Sequence, residues 1–360
     1  MTLYVYDASL QRIGLVEDID SLQWLAKYQD AGEVKLVCAA TNKNLSLLVD
    51  GNRLYCTDQP ESAIIRERTV SDDGKTATLT VRALFSAARW NDRVVQATEN
   101  ITAAAAGMLA LADHNRRGLP GTSQTYSGTD IPLDTQITWG SVLEGLRTLA
   151  ESSGLGFREV FDVATGGEQL QIYAGVDRTS GDKHRGYFGT DVDNISDIEL
   201  TTGTPEWKNV AIVGGEGEGT ARVIVTVTLN AGSGDDRREL WVDAKDLTRT
   251  YQIAQDDGKG NITYTQATYT DEEYAAQLRG RGLEKLAEAM PTMDVSAQLG
   301  QGLMVYGKDY ALGDIVPLRL FRYGVSVAAR VTKVTTVYES TGKTVTATLS
   351  DYKIMEVLKQ

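Results

Sequence analysis

Two histidines, two cysteines and a surplus of carboxylates are what this 360-residue chain offers for chemistry. His114 stands beside Arg116 and Arg117, and His184 lies between Lys183 and Arg185. Neither has a histidine, cysteine or carboxylate at the short fixed spacing that a zinc site or a triad requires. No G-x-S-x-G elbow and no H-E-x-x-H is present. Asp191, Asp193 and Asp197 superficially resemble a calcium loop. Ile195 and Ser196, however, occupy the places that need a ligand and a glycine, so a solvated loop is the reading. Asp256 and Asp257 open a Gly-containing turn that has room for an adventitious cation at most. A glycosidase pair can be set by the fold alone, yet nothing in the sequence singles out two carboxylates.

Gly214, Gly215, Gly217 and Gly219 follow an apolar strand, as a phosphate-binding loop would. Such a loop must open a helix whose N–H groups face the anion. Here it leads into ARVIVTVTL, which is strand chemistry, and Glu216 and Glu218 would repel phosphate. The run is therefore a hairpin turn between Asn209–Val213 and Ala221–Leu229, with a third strand at Arg238–Asp243. Alternation in that third strand puts Arg238, Leu240 and Val242 on one side and Glu239, Trp241 and Asp243 on the other. With no nucleophile or metal motif nearby, Arg237, Arg238, Glu239 and Asp243 read as ion pairs at a domain or subunit boundary. Trp90, Trp139, Trp207 and Trp241 are candidate platforms for stacking a sugar, although core packing explains them equally.

The elements that would position these residues are mostly strands. LYVYDASLQRIGLV, EVKLVCAA, NRLYCT and SAIIRERTV precede the hairpin signal Asp72-Asp73-Gly74-Lys75, which turns into ATLTVRALF. ATENITAAAAGMLALADH is alanine-rich and helical in propensity. A second helix, WGSVLEGLRTLAESSG, is expected with Thr138 as its cap, Trp139 on its apolar face and Gly154 as its stop. Residues 116–131 form a surface connection, and 177–204 are expected to be mostly loop. Thr270-Asp271-Glu272-Glu273 is a capping box for a helix that runs to Met290, with Pro291 ending it. Strands then return, with Ser340–Lys343 as the last hairpin turn. The expected fold is mainly β with an α+β insert: a barrel-like domain over 1–95, the insert over 96–204, and a second barrel-like domain over 205–360. The bracketing β-rich ends hint at a diverged internal repeat.

Composition narrows the classes further. A formal charge of −13 argues against a surface built to hold a nucleic-acid backbone, while remaining compatible with acidic channel walls past which a polyanion slides. No stretch approaches the ~20 apolar residues of a membrane helix, and the N-terminus lacks a basic flank and apolar core, so folding in a cytosol is expected. Cys38 and Cys56 each end an apolar run and read as buried thiols. No cofactor and no metal is implied.

Five motifs, in order, resemble a family of long-tailed phage and prophage tail proteins, the siphovirus tail-tip or baseplate-hub proteins. They are Trp24-x-x-x-Tyr28 with Gly32-Glu33-Val34-x-Leu36; Gly175-x-Asp177-Arg178-Thr179; Lys208-Asn209-x-Ala211-x-Val213-x-Gly215; Arg238-Glu239-x-x-Val242-Asp243-Ala244; and Tyr310-x-Leu312-Gly313-Asp314-x-Val316. The similarity runs from about Leu3 to Leu349. It implies a hub fold with two β-barrel domains flanking α/β elements, and three chains forming a ring whose six barrels continue the tail tube. Implied partners are copies of the chain and other tail proteins: distal tail, tape measure and receptor-binding or tip proteins. Phage DNA is only cargo in the lumen, and no stable membrane insertion is implied. Asp314 joins the candidate ion-pairing residues. Because the chain stops at Gln360 soon after its last strands, any cell-wall-degrading activity is expected on another protein. The competing expectations are a cell-wall glycan hydrolase and a host carbohydrate-binding tail component.

Overall fold

The computed structural model describes residues 1–164, 166–184, 186–203, 207–229, 233–256, 262–290, 292–300 and 302–351. The first run comprises β1 (Leu3–Tyr6), β2 (Arg12–Leu15), β3 (Ile19–Lys27), β4 (Glu33–Ala39), a short helix α1 (Asn42–Leu47), β5 (Arg53–Cys56), β6 (Ser62–Asp72) and β7 (Ala77–Phe85). An insert follows, with β8 (Glu99–Ala103), α2 (Ala104–His114), β9 (Thr122–Ser123), β10 (Pro132–Ile137), α3 (Val142–Ser153), β11 (Gly156–Asp162) and β12 (Gly167–Tyr173). After β13 (Phe188–Gly189) and β14 (Ile195–Gly203) comes a second insert. It holds β15 (Val210–Gly214), β16 (Ile224–Thr228), β17 (Glu239–Asp243), β18 (Thr250–Asp256), β19 (Ile262–Thr268) and α4 (Asp271–Glu288). The last run is β20 (Thr292–Leu299), β21 (Ile315–Leu320), β22 (Val325–Glu339) and β23 (Gly342–Asp351).

Period-two alternation builds the strands. In β3 the side chains of Leu22, Trp24 and Ala26 face inward, and in β4 those of Val34, Leu36 and Cys38 do. Strands from both ends of the chain join one 13-stranded sheet, ordered β14-β20-β23-β22-β3-β4-β7-β6-β5-β1-β2, with β21 and β13 branching from β22. The branch arises because β22 is 15 residues long and changes partner. Its first half, Val325–Arg330, pairs with β21, and its second half, Lys333–Glu339, pairs with β3. A register shift between Val331 and Lys333 marks the change, as a bulge re-aims a strand. The sheet thus has two lobes hinged on β22, open ends at β14, β2 and the branch strand β13, and no closed barrel among the described residues. The protein is mainly β with α/β inserts.

Three cores fill the fold. The largest draws on residues 3–85, 188–200 and 293–349 together, the second on 87–172, and the third on 211–286. In the third, β16 and β17 flank β15, antiparallel and parallel respectively, and α4 covers their inner face. Gly282 of α4 lies where a Cβ would press on Val213 and Val227.

Several local expectations need correction. Residues 177–194 are largely loop, as expected, but 195–203 are not: β14 forms one end of the sheet against β20, its Ile198 and Leu200 half-buried on the core while polar residues between them mask the pattern. The alanine-rich segment begins as strand β8 before becoming α2. The cap of α3 is Ser141, which accepts from Glu144 N at 3.1 Å, and not Thr138. Trp139 precedes the helix at φ 55° and is 71% exposed rather than on its buried face. Gly154 ends α3 in the left-handed region, and the Thr270 capping box stands as read. Pro291 and the turn at 257–261 lie outside the described residues.

Candidate functional site

Three of the motif segments converge on Tyr28, just beyond β3, at the point where β22 changes partner. Tyr28 N donates to Thr332 O at 2.9 Å, inside the register shift. The buried Tyr28 hydroxyl donates to Gly154 O at 3.1 Å and accepts from Gly175 N at 3.1 Å, tying both lobes to the first insert. Arg330 of β22 lies 5.1 Å over the Tyr28 ring and donates to Gly313 O at 2.7 Å. Gly313 has φ 91°, and a Cβ there would overlap the Tyr28 ring; a Cβ on Gly175 would overlap the Gly313 carbonyl. Asp314 accepts from Val176 N and Ala311 N, each at 2.8 Å, and from Arg178 Nε at 2.5 Å. A carboxylate holding two backbone N–H groups and a guanidinium is a structural clamp between these segments.

The other sequence-predicted residues do not join it. Arg237 Nε meets Glu239 Oε1 at 2.6 Å on the surface of the second insert, and Arg238 lies 4.9 Å over Trp207. Asp243 pairs with Arg222, which also covers Trp241 at 5.0 Å. Those four residues therefore share one region of the second insert, and Asp314 belongs to the Tyr28 junction. Of the tryptophans weighed as platforms, Trp90 is fully buried while Trp241 is 52% exposed. The glycine run serves packing: Gly215 abuts Tyr274 and Leu278, and Glu216 N donates to the Tyr274 hydroxyl at 2.7 Å. His114 faces Glu99 at 3.0 Å, and His184 Nδ1 lies 3.0 Å from Arg178 O. Cys38 and Cys56 are buried free thiols, and burial pushes Cys38 up to about 11. Asp191 accepts from the Tyr187 hydroxyl at 2.6 Å. Among the described residues no three His, Cys, Asp or Glu side chains are grouped to hold a metal. In the same residues no helix is long and apolar enough to cross a membrane.

A buried ionic knot was missed by sequence reading. Glu168 of β12 pairs with Arg53 of β5 at 3.2 Å and with Arg89 at 2.7 Å, and accepts from Ser62 at 2.7 Å and from Ser86. Arg89 also meets Glu159 of β11 at 2.8 Å. Burial pushes the Glu159 carboxyl up, with Arg89 pulling the other way. These charges are desolvated, so the knot fixes how the insert seats on the sheet more than it adds stability. Its signal was present: in GFREVFD, Glu159 shares the inward register of Phe157 and Phe161.

What remains available at the surface is backbone. The outer edges of β2 and β14 have no strand partner among the described residues, and Ile13 and Leu15 of β2 are exposed. Against this geometry, residues 2–349 match the profile of the family described as Siphovirus ReqiPepy6 Gp37-like protein. The chain belongs to this family. This Gp37-like chain is thus a phage tail protein, as the five motifs implied. No curated protein matches the sequence.

Solved structures agree on the fold of the Gp37-like chain. The tail protein from Neisseria meningitidis MC58 is 13% identical with a TM-score of 0.61, covering 99% of this chain and 98% of its own. The 43 kDa tail protein of prophage MuSo2 from Shewanella oneidensis is 11% identical with a TM-score of 0.62, covering 99% and 100%. Prophage tail protein gp18 from Listeria monocytogenes EGD-e is 14% identical with a TM-score of 0.58, covering 99% and 98%. The Gp37-like fold therefore extends over whole chains in all three.

Proposed function

We propose that this protein is a structural hub of the phage tail, located at the tail tip or baseplate, where three copies form a ring that continues or closes the tube and anchors tip proteins. The observation that carries the reading is the two-lobed sheet. Each lobe acts as a barrel-like half, so three chains present six such units, the number a sixfold tube needs. The open edges of β2 and β14 offer unpaired backbone groups that adjoining chains would satisfy. The charge of −13 suits a lumen past which DNA slides without sticking.

The working units we propose follow the cores and not linear cuts at 95 and 204: one body from the first and last runs, with two inserts mounted on it. The exposed pair Arg237–Glu239, and the exposed Asp243 held by the half-buried Arg222, then face neighbouring tail proteins as changeable ionic contacts on the second insert. Light scattering on the purified chain tests the trimer. The expected mass is three times 39.1 kDa, and a monomer at every concentration, including in the presence of assembled tails, would contradict it.

A further inference from the structure

Beside the Tyr28 junction lies a cleft of about 330 Å³. Glu61 and Leu312 are buried at its base, Tyr173, Tyr306 and Arg158 form its walls, and Ala311 stands exposed at the rim. Glu61 is 5% exposed, with the Trp24 indole beside its carboxyl, and the Tyr173 hydroxyl is buried without a hydrogen-bond partner. A buried hydroxyl without a partner, next to a buried carboxyl in one cleft, calls for an occupant, because an unsatisfied buried polar atom costs about 1–3 kcal/mol.

The charges at the cleft indicate what kind. Arg178 is neutralised by Asp314. Asp58 lies 3.9 Å from the amino terminus. Arg158 lies 4.8 Å over the Tyr173 ring and donates through Nε to Gln171 at 3.2 Å. Burial lifts the Glu61 carboxyl to about 7, against the pull of Arg158, so it is largely uncharged below that pH. Once Glu61 is ionised its charge offsets that of Arg158, and a strong ion of either sign then gains little in the lining. Carboxyl, guanidinium and phenol groups between aromatic walls instead match a guest that both donates and accepts hydrogen bonds and has an apolar face. The volume lies at the small end of ligand pockets.

We propose that this cleft is a binding site for a neutral saccharide, one or two sugar units long, whose hydroxyls bridge Glu61 and Tyr173 and whose ring lies against the tyrosine walls. It differs from the tryptophan platforms weighed from the sequence, and it stands whether or not the chain is a trimer.

Saturation-transfer NMR on the full chain, with maltose and diacetylchitobiose as probes, tests it. The expected result is saturable transfer to at least one sugar at millimolar affinity. Glu61→Leu and the rim variant Ala311→Trp should each weaken binding at least about tenfold. Trp139→Ala should leave it unchanged. Because Ala311 is exposed, its variant remains informative if Glu61→Leu folds poorly. Absence of transfer from both sugars, transfer that survives both cleft variants, or displacement of the sugar by acetate or butylammonium would each overturn the proposal.

Discussion

At the scale of single residues, Glu61 and the ionic knot are the two places where burial opposes charge. The folded chain retains a proton on Glu61 up to about pH 7, whereas the unfolded carboxyl releases it near 4.5. The folded state therefore binds more protons across that window, and Glu61 makes stability fall as pH rises through it. Fully developed above pH 7, the loss is about 3 kcal/mol at most. Glu61→Gln should accordingly be more stable than the parent in urea denaturation at about pH 8, with the difference vanishing near about pH 4. A difference independent of pH would refute this. Arg89→Ala should cost about 3–5 kcal/mol, because it strands Glu159 and leaves Glu168 with Arg53 alone. Adding Glu159→Leu to that variant should recover part of the loss in the same assay, which simple loss of packing would not do.

At the scale of elements, the junction at Tyr28 explains why glycines stand at 175 and 313. Gly175→Ala would force a Cβ into the Gly313 carbonyl and should shift the point where β22 changes partner, read as loss of amide-exchange protection in both β21 and the last residues of β3. Thr270→Ala should cost about 1 kcal/mol by removing the side-chain acceptor for Glu273 N, with helix α4 fraying at that end only. Elements with local signatures were legible in the sequence: the capping box, the Gly154 stop, the Asp-Gly hairpin between β6 and β7, and the strand–turn–strand at β15 and β16. Harder to read were features decided by distant partners. Strand β14 owes its state to β20, almost 100 positions later, and nothing local in its polar stretch announces that. Trp139 fits a helical apolar stripe by spacing, yet Ser141 competes successfully for the cap and leaves it outside. Among candidate site residues, Asp314 was singled out by its motif, while its clamp with Arg178, Val176 and Ala311 depended on the meeting of segments more than 130 residues apart.

For the whole molecule, the joining of β3 to β22 is the decisive feature. It merges the two ends of the chain into one sheet where sequence reading had placed two barrel-like domains, and it gives this protein its two-lobed body. The proposed ring would be joined through the edges that this sheet leaves open. A charge on the outer edge, as in Ile13→Lys of β2, should leave the urea midpoint of the isolated chain within about 0.5 kcal/mol of the parent while reducing ring formation in light scattering. The most direct measurement is imaging of assembled tails that carry a tag on this chain. The account predicts threefold density at the distal end of the tube, three tags around the axis and six lobes in register with the tube subunits. Tags scattered along the tail, or a single copy off the axis, would contradict it.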